Sequence, residues 1–222
     1  MNPVPWHWLS YLEAFFLGQP DPCPVCQQRS VATGWPGCAS CVEALPLAWH
    51  SIPGMRYPCF CISPYTGRTK EMIADSKYHG GVELARFLGN VLGIAAQQSP
   101  ELVGTRALIP LPLHPERELV RGFNQSRLLA DGIHEWWKPP VWDVMIRVKP
   151  TASQSELDRR QRRSNVRGAF ALQKGNVVRG RNVILVDDIL TTGSTFLEAA
   201  SLVAAFGGRP KGLFVASGRI HR

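Results

Sequence analysis

Two hydrophobic periods alternate along this chain, and they predict strands and helices in turn. Four branched aliphatic residues at 183–186 form an unbroken apolar run, which is typical of a strand buried on both faces of a parallel sheet. Between residues 84 and 95 apolar side chains recur instead at helical spacing. Because predicted strands alternate with helices from residue 105 onward, the pattern indicates an α/β fold with a parallel sheet.

The remaining elements follow from the same periods and from the positions of proline and glycine. Further helices are predicted at 8–17, 68–78, 124–137 and from about 195 to 206, and further strands at 57–65, 107–109, 144–148, 169–172 and 213–216. The stretch 149–166 is polar, rich in arginine and without either period. It is therefore expected to be a mobile loop.

Two adjacent carboxylates, Asp187 and Asp188, stand where the apolar run ends, and a loop of small residues follows them. The loop residues are Thr191, Thr192, Gly193, Ser194 and Thr195. Thr195 and Glu198 have the spacing of a capping box, which predicts a helix that begins near Thr195. A loop before a helix N-terminus offers amides and hydroxyls to a phosphate, and the acids suit sugar hydroxyls or a divalent cation. The alternative is a polar turn that binds nothing, with exposed acids.

This string resembles the motif that binds 5-phosphoribosyl pyrophosphate (PRPP) in type I phosphoribosyltransferases. In that family a hydrophobic strand precedes two acids and a loop of Thr, Ser and Gly. The resemblance implies that Asp187 and Asp188 are the catalytic acids that hold the ribose hydroxyls, and that residues 191–195 hold the 5′-phosphate of PRPP bound with Mg²⁺. Neither a Walker string nor Gly-x-Gly-x-x-Gly occurs in the sequence, which argues against the usual nucleoside-triphosphate and dinucleotide folds.

Two Cys-x-x-Cys pairs near the N-terminus predict a structural zinc site. Eleven residues separate the pairs, which consist of Cys23, Cys26, Cys38 and Cys41. So small a module has almost no core, and the metal would supply most of its folding free energy. Two unrelated thiol pairs or a disulfide are the alternative. Cys59 and Cys61 lie within a predicted strand and are interpreted as small hydrophobic residues.

Further sequence blocks extend the resemblance over about residues 20–217. They lie at 65–68, 77–80, 109–114, 121–125, 154–157, 162–165 and 168–170. In this order, together with the cysteine pairs, they resemble the ComF/GntX family, which joins an N-terminal zinc module to a type I phosphoribosyltransferase-like domain. The chain is accordingly divided into an N-terminal helix (1–22), a zinc-ribbon-like module (23–56) and a phosphoribosyltransferase-like domain (57–222). Some members of that family are linked to natural competence and imported DNA.

The resemblance also suggests contacts to pyrophosphate, from Lys77, Arg121 and Arg162. Lys77 has an alternative role as a helix-end lysine that covers apolar surface. In the transferases a flexible loop closes over the site and excludes water, and the arginine-rich stretch would be that loop. The alternative is a basic loop that never closes. His114 is either a proton carrier or an incidental loop histidine.

The formal net charge of +8 is concentrated in one segment. Residues 147–181 contain ten Lys or Arg and two acids, whereas the rest of the chain has as many basic as acidic residues. Such a cluster suggests a polyanionic ligand, either pyrophosphate or nucleic acid, although a solvated surface is the alternative. The candidates for contacting single-stranded DNA are Arg159, Arg160, Arg163 and Arg167. Trp35, Trp49 and Tyr57 could stack on bases or pack in the interior.

The sequence favours a cytoplasmic protein. No apolar run reaches the ~18 residues of a membrane span, and the first residues lack the basic region of a signal peptide. Paired thiols favour a reducing compartment. The expected function is Mg²⁺-dependent transfer of phosphoribosyl to an unidentified acceptor, in competence, imported-DNA or nucleotide handling. The alternative is a non-catalytic PRPP-responsive protein that binds single-stranded nucleic acid, and a homodimer is compatible with the fold.

Overall fold

The structure is a computed structural model that describes residues 22–31, 34–78, 81–149 and 168–220. Its strands are β1 (His50–Ser51), β2 (Cys59–Pro64), β3 (Thr105–Pro110), β4 (Met145–Arg147), β5 (Phe170–Leu172), β6 (Asn182–Leu190) and β7 (Arg209–Ser217). Its described helices are α1 (Ala39–Glu43), α2 (Gly67–Asp75), α3 (Gly81–Gln97), α4 (Pro115–Arg121), α5 (Gln125–Trp137) and α6 (Ser194–Ala205). Short 3₁₀ turns lie at Pro100–Leu102 and Gly175–Val178.

A five-stranded sheet in the order β1-β2-β7-β6-β3 forms the centre of the described chain. All its neighbours are parallel except β1, which pairs antiparallel with β2. The first half of β6 is buried on both faces, as its composition predicts. Ile184 and Val186 pack with α3 and α5 on one face, whereas Val183 and Leu185 pack with α6 on the other. The predicted α/β fold with a mostly parallel sheet is therefore confirmed.

Helices α3 and α5 lie unusually close together because glycines line their contact. A Cβ atom at Gly89 would lie 2.5 Å from the carbonyl oxygen of Leu129. A Cβ atom at Gly132 would lie 2.6 Å from the carbonyl oxygen of Arg86. Neither separation is sterically tolerable, so larger residues would push the helices apart. This packing fixes α5 against the sheet, and its first turn lies at the carboxyl end of the strands.

The strands predicted at 144–148 and 169–172 exist, but they do not join the parallel sheet. They form the antiparallel pair β4–β5, in which Met145 lies opposite Leu172 and Arg147 lies opposite Phe170. At the β3 edge of the sheet, Leu108 forms an isolated parallel bridge with Val141 instead. The hairpin therefore stands beside the sheet and carries the segment 150–167 between its strands.

Two helix predictions were incomplete or wrong. Helix α4 was not predicted, because it has no buried residue and its apolar side chains, Leu119 and Val120, are almost fully exposed. The capping box at the start of α6 was wrong. The helix begins one residue earlier, its N-cap is Gly193, and the Glu198 carboxylate accepts a hydrogen bond from the backbone N–H of Gly168 instead.

Several predictions fall on parts of the chain outside the described residues. They include the N-terminal helix at 8–17 and most of the arginine-rich stretch 149–166. Within the described ranges, no helix combines the length and the apolar character that are needed to cross a bilayer.

Candidate functional site

The candidate site lies at the carboxyl ends of two neighbouring strands, β3 and β6. The chain leaves β3 toward α5 on one face of the sheet and leaves β6 toward α6 on the other. Such a change of direction opens a crevice at the strand ends, where α/β proteins bind ligands. Asp187 and Asp188 lie in this crevice, although β6 continues past them to Leu190. The acids are thus held by the sheet ladder, in which Asp187 is paired with Phe214.

The loop between β6 and α6 is shaped to receive an anion. Gly193 adopts a left-handed conformation with φ of 81°, and the first turn of α6, all of it described, carries no acidic side chain. The hydroxyl groups of Thr192 and Ser194 lie 3.0 Å apart, and the guanidinium of Arg219 donates to the carbonyl oxygen of Thr192 at 3.2 Å. A helix N-terminus preceded by such a loop is a natural phosphate site.

Lys77 reaches the paired acids from the end of α2. Its ammonium Nζ lies 2.6 Å from Oδ2 of Asp188, and both side chains are largely buried. Burial by itself disfavours the ammonium, but attraction to Asp188, and more weakly to Asp187, leaves the pKa of Lys77 above its ordinary value. Lys77 is therefore a cation within the crevice.

Asp187 carries the most perturbed carboxylate of the crevice. Burial, reinforced by the neighbouring Asp188, raises the pKa of Asp187 to about 7, and a hydrogen bond from Ser126 opposes that rise. The Ser126 hydroxyl donates to Oδ1 of Asp187 at 2.7 Å. A carboxyl group poised near neutral pH, beside a second acid and a lysine, is characteristic of functional sites.

The first turn of α5 lies beside the acids. The side-chain oxygen of Asn124 caps the helix at the N–H of Ser126, 3.0 Å away. Gln125 is buried and donates to the Ser76 hydroxyl at the end of α2. The block at 121–125 pointed to this region, but no local signal links Ser126 to an acid 61 residues later.

A cleft of about 470 Å³ lies between the first turn of α5 and strand β4. Its lining includes Asn124, Met145 and Arg147. The guanidinium of Arg147 lies 5.5 Å from the ring centre of Phe170. Burial and the nearby Arg117 lower the pKa of Arg147, whereas Asp187 acts in the opposite direction. Because the guanidinium of arginine stays protonated in proteins, Arg147 adds positive charge near Asp187.

The other predicted pyrophosphate and loop residues are not brought to the acids in the described chain. Arg121 ends the exposed helix α4, and within the described residues its side chain makes no hydrogen bond or ion pair with Asp187 or Asp188. His114 precedes α4, and its Nδ1 lies 3.6 Å from a Glu116 carboxylate oxygen, which is too long for a hydrogen bond. The remaining candidates lie outside the described residues: Arg159, Arg160, Arg162, Arg163 and Arg167.

The four N-terminal cysteines form a cluster that fits a metal ion. Their sulfur atoms all lie within 4.8 Å of one another, and those of Cys26 and Cys38 are 3.9 Å apart. A tetrahedral zinc with Zn–S bonds of about 2.3 Å requires sulfur separations of about 3.8 Å. The backbone N–H of Cys38 also donates to the Cys23 sulfur at 3.3 Å, as is common around metal-bound thiolates.

The electrostatics of the cluster also favour a cation. Backbone N–H groups, first that of Gln28, lower the pKa of the Cys26 thiol to about 6. Burial and the neighbouring thiols raise the pKa of Cys41. Four thiolates cannot share this space without a positive charge between them, and a bound zinc ion would supply it. None of the six cysteines, all of which are described, forms a disulfide.

Cys59 and Cys61 are buried, and two of the proposed stacking residues are partly buried against the hydrophobic cores. Burial raises the pKa of both thiols to about 12, which agrees with their interpretation as small hydrophobic residues. Trp49 stacks on Phe60 with ring centres 5.4 Å apart, and Tyr57 packs edge-on against Phe196. These rings are therefore engaged within the protein.

Known proteins resemble the chain over both the site and the rest of the fold. Residues 144–216 match the family model for a phosphoribosyl transferase domain, a range that includes the acids and the anion loop. DNA utilization protein YhgH of Salmonella typhimurium is 30% identical over 216 residues, which cover 86% of this chain and 94% of that protein. Competence protein F of Haemophilus influenzae is 31% identical over 175 residues, covering 77% and 73%. The chain belongs to the ComF family.

As in the ComF family, a phosphoribosyltransferase-like domain here follows a four-cysteine cluster, and the predicted fold class is confirmed. Among solved structures, the allosteric regulatory enzyme of purine biosynthesis aligns with a TM-score of 0.45 and 19% identity. That alignment covers 66% of this ComF-family chain and 30% of the enzyme.

Proposed function

We propose that this ComF-family protein binds PRPP with Mg²⁺ between β3 and β6 and transfers its phosphoribosyl group to an acceptor. The observation that supports the proposal most strongly is the convergence in one crevice of the paired acids, Lys77 and the anion loop before α6. Each matches a different part of PRPP: carboxylates suit the ribose hydroxyls, helix N-terminal amides the 5′-phosphate and a lysine the pyrophosphate.

The side chains would act mainly by positioning and by neutralising charge. Asp187 and Asp188 accept hydrogen bonds from the ribose hydroxyls, and residues 191–195 hold the 5′-phosphate. Once ribose engages Asp188, the ammonium of Lys77 is in place to turn toward the pyrophosphate. The bond from C1 of ribose to pyrophosphate breaks with its electron pair leaving on pyrophosphate, while a lone pair of the acceptor forms the new bond to C1 and the proton that the acceptor loses passes to solvent. Bound Mg²⁺ would neutralise part of the pyrophosphate charge.

Arg121 and Arg162 are proposed as further contacts to the pyrophosphate. The cysteine cluster, away from this crevice, is proposed as a structural zinc site. The names of the relatives refer to DNA utilization and to competence. We therefore propose that the activity serves the handling of imported DNA or of the nucleotides derived from it, in the cytoplasm.

Calorimetric titration with PRPP and Mg²⁺ tests binding, and pyrophosphate release in the presence of a panel of nucleobases tests transfer. We expect the Asp187→Asn, Asp188→Asn double variant to lose PRPP binding. Asp131→Asn is a suitable control, because Asp131 pairs with Arg127 on α5 and lies outside the crevice. Retention of PRPP affinity by the double variant, within about threefold, would reject the site.

A second candidate function is supported by the charge of the segment 147–181, which holds ten basic and two acidic residues. A non-catalytic, PRPP-responsive protein could bind single-stranded nucleic acid through Arg159, Arg160, Arg163 and Arg167. Phosphate contacts of this kind weaken steeply as salt concentration rises. We expect replacement of Arg159 and Arg160 to reduce both the affinity and its salt dependence. Absence of binding at about 50 mM salt, where the electrostatic attraction is strong, would exclude this function.

A further inference from the structure

We propose that the first turn of α5 positions the site from outside: Gln125 holds the end of α2 that carries Lys77, and Ser126 holds the carboxylate of Asp187. The proposal rests on the proposed function, because its main measurement is the affinity for PRPP. Neither residue needs to touch the ligand, so both are positioning residues.

Three consecutive side chains at this turn contact three different elements. Asn124 donates from its amide nitrogen to the carbonyl oxygen of Leu111, in the loop after β3, at 3.2 Å. Gln125 reaches the end of α2, and Ser126 reaches β6. The turn therefore connects the loop after β3, the end of α2 next to Lys77, and Asp187 in β6.

Gln125 acts on α2 through a buried chain of hydrogen bonds. Its amide nitrogen donates to the hydroxyl of Ser76 and, at 3.5 Å, to the carbonyl oxygen of Ile73. The Ser76 hydroxyl in turn donates to the same carbonyl at 2.9 Å. Ser76 is the C-cap of α2 and is fully buried, and Lys77 is the next residue. Without Gln125, the Ser76 hydroxyl oxygen would lose its donor in the interior, and the Ile73 carbonyl oxygen would keep only the hydrogen bond from Ser76.

Ser126 acts on the acid directly. Its side chain is 4% exposed, and its hydroxyl donates to Oδ1 of Asp187 at 2.7 Å. A hydrogen bond to a carboxylate both stabilises the charge and restricts the rotation of the group. The orientation of Asp187 toward a ribose hydroxyl therefore depends on Ser126.

The rest of α5 makes this turn a rigid support. Gly89 and Gly132 bring the backbones of α3 and α5 into direct contact, so the helix cannot shift toward α3. Asn124 caps the turn itself. A substitution of Gln125 or Ser126 should consequently change the positions of Lys77 or Asp187, because the helix cannot move to compensate.

The test compares PRPP with inorganic phosphate as probes of the full-length protein. Ser126→Ala should weaken PRPP binding in the presence of Mg²⁺ by about tenfold, the loss expected for one hydrogen bond to a charged group. Inorganic phosphate needs only the loop at 191–195, so its affinity should change by less than about twofold. Ser126→Thr keeps the hydroxyl and should restore most of the PRPP affinity.

Ser99→Ala is a matched control, because Ser99 is also buried and donates to a carboxylate, that of Glu101, at 2.6 Å. It lies before the 3₁₀ turn at Pro100–Leu102, outside the crevice, and should leave PRPP affinity unchanged. Ser126→Cys has nearly the size of serine but donates weakly, and it replaces the alanine variant if that variant does not fold.

Gln125→Ala tests the other half of the proposal by hydrogen exchange. The amides of residues 76–78 should exchange faster in this variant than in the wild type, whereas Ser126→Ala should leave them unchanged. Unchanged exchange at 76–78 in Gln125→Ala would overturn the role of Gln125.

Failure of this proposal is distinguishable from failure of the proposed function. If the wild type binds PRPP no better than inorganic phosphate, the proposed function fails. If the wild type prefers PRPP and Ser126→Ala retains that preference, only the positioning role of Ser126 is wrong. An equal loss of affinity for both probes would also overturn it, because the damage would then extend to the phosphate loop.

Discussion

Asp187 is held in conditions that favour its neutral form, although the proposed site requires it to accept hydrogen bonds. Burial and Asp188 raise its pKa to about 7 from an ordinary 3.8, and Ser126 only partly offsets them. The ligand-free protein therefore retains a carboxylate at a cost to its own stability. Such a cost is common where residues are retained for binding and not for folding.

The free-energy cost of keeping Asp187 ionised in the folded state predicts a pH dependence of stability. Because the folded pKa of Asp187 lies above the unfolded one, the folded state binds more protons between about pH 4 and 7, and stability falls as pH rises through that window. Asp187→Asn lacks this titration. Its stability relative to wild type should rise by about 2 kcal/mol between about pH 5.5 and 8, as measured by urea unfolding. A difference that does not vary with pH would contradict the perturbed pKa.

At the scale of single residues, the sequence revealed the two acids but not the residues that position the site. Asp187 and Asp188 lie in a continuous string whose order of strand, acids and loop is itself the signal. Ser126 and Gln125 act across 61 and 49 residues, respectively, and a serine or glutamine in a helical pattern carries no mark of a distant partner. Such contacts arise only from tertiary packing.

At the scale of elements, the N-terminus of α6 depends on the backbone conformation of Gly193. With φ of 81°, this residue turns the chain immediately before the first turn of the helix, at the end of the loop that follows the acids. A side chain there is strained, and its Cβ would lie 2.6 Å from the terminal methyl of Met55. The capping-box prediction was wrong because the helix begins at Ser194, with Gly193 as its N-cap, and Glu198 accepts a hydrogen bond from Gly168 instead.

Gly193→Ala should therefore impair both stability and phosphate binding. The left-handed conformation should cost on the order of 1 kcal/mol in unfolding free energy. Distortion of the loop should weaken the binding of inorganic phosphate severalfold in calorimetry.

Gly207→Ala provides the matched control, since Gly207 lies just beyond the other end of α6 with φ of 78°. Its stability loss should be similar, but phosphate affinity should not change. If both variants weakened phosphate binding equally, the loop before α6 would not be the anion site.

At the scale of the whole molecule, the cysteine module is part of the main core. Val42 and Leu45, which follow the second cysteine pair, are buried in the same cluster as Phe60 and Phe87. A Cβ atom at Gly37, between the two pairs, would lie 2.6 Å from the ring of Phe87. The cysteine spacing predicted the four-cysteine cluster, but it could not indicate this docking, because the contacts join segments far apart in sequence.

This docking predicts that metal and fold are coupled. If zinc holds the four thiolates together, its removal by a chelator should release Val42 and Leu45 from the core and lower the melting temperature of the whole chain in one transition. The purified protein should contain about one zinc per chain by elemental analysis, and Cys41→Ser should lose it. Cys59→Ala, in the buried strand β2, should retain the zinc although it is also destabilised. Two separate transitions after chelation would instead mean that the module unfolds independently, and the burial of Val42 against the sheet would then contribute little to the stability of the domain.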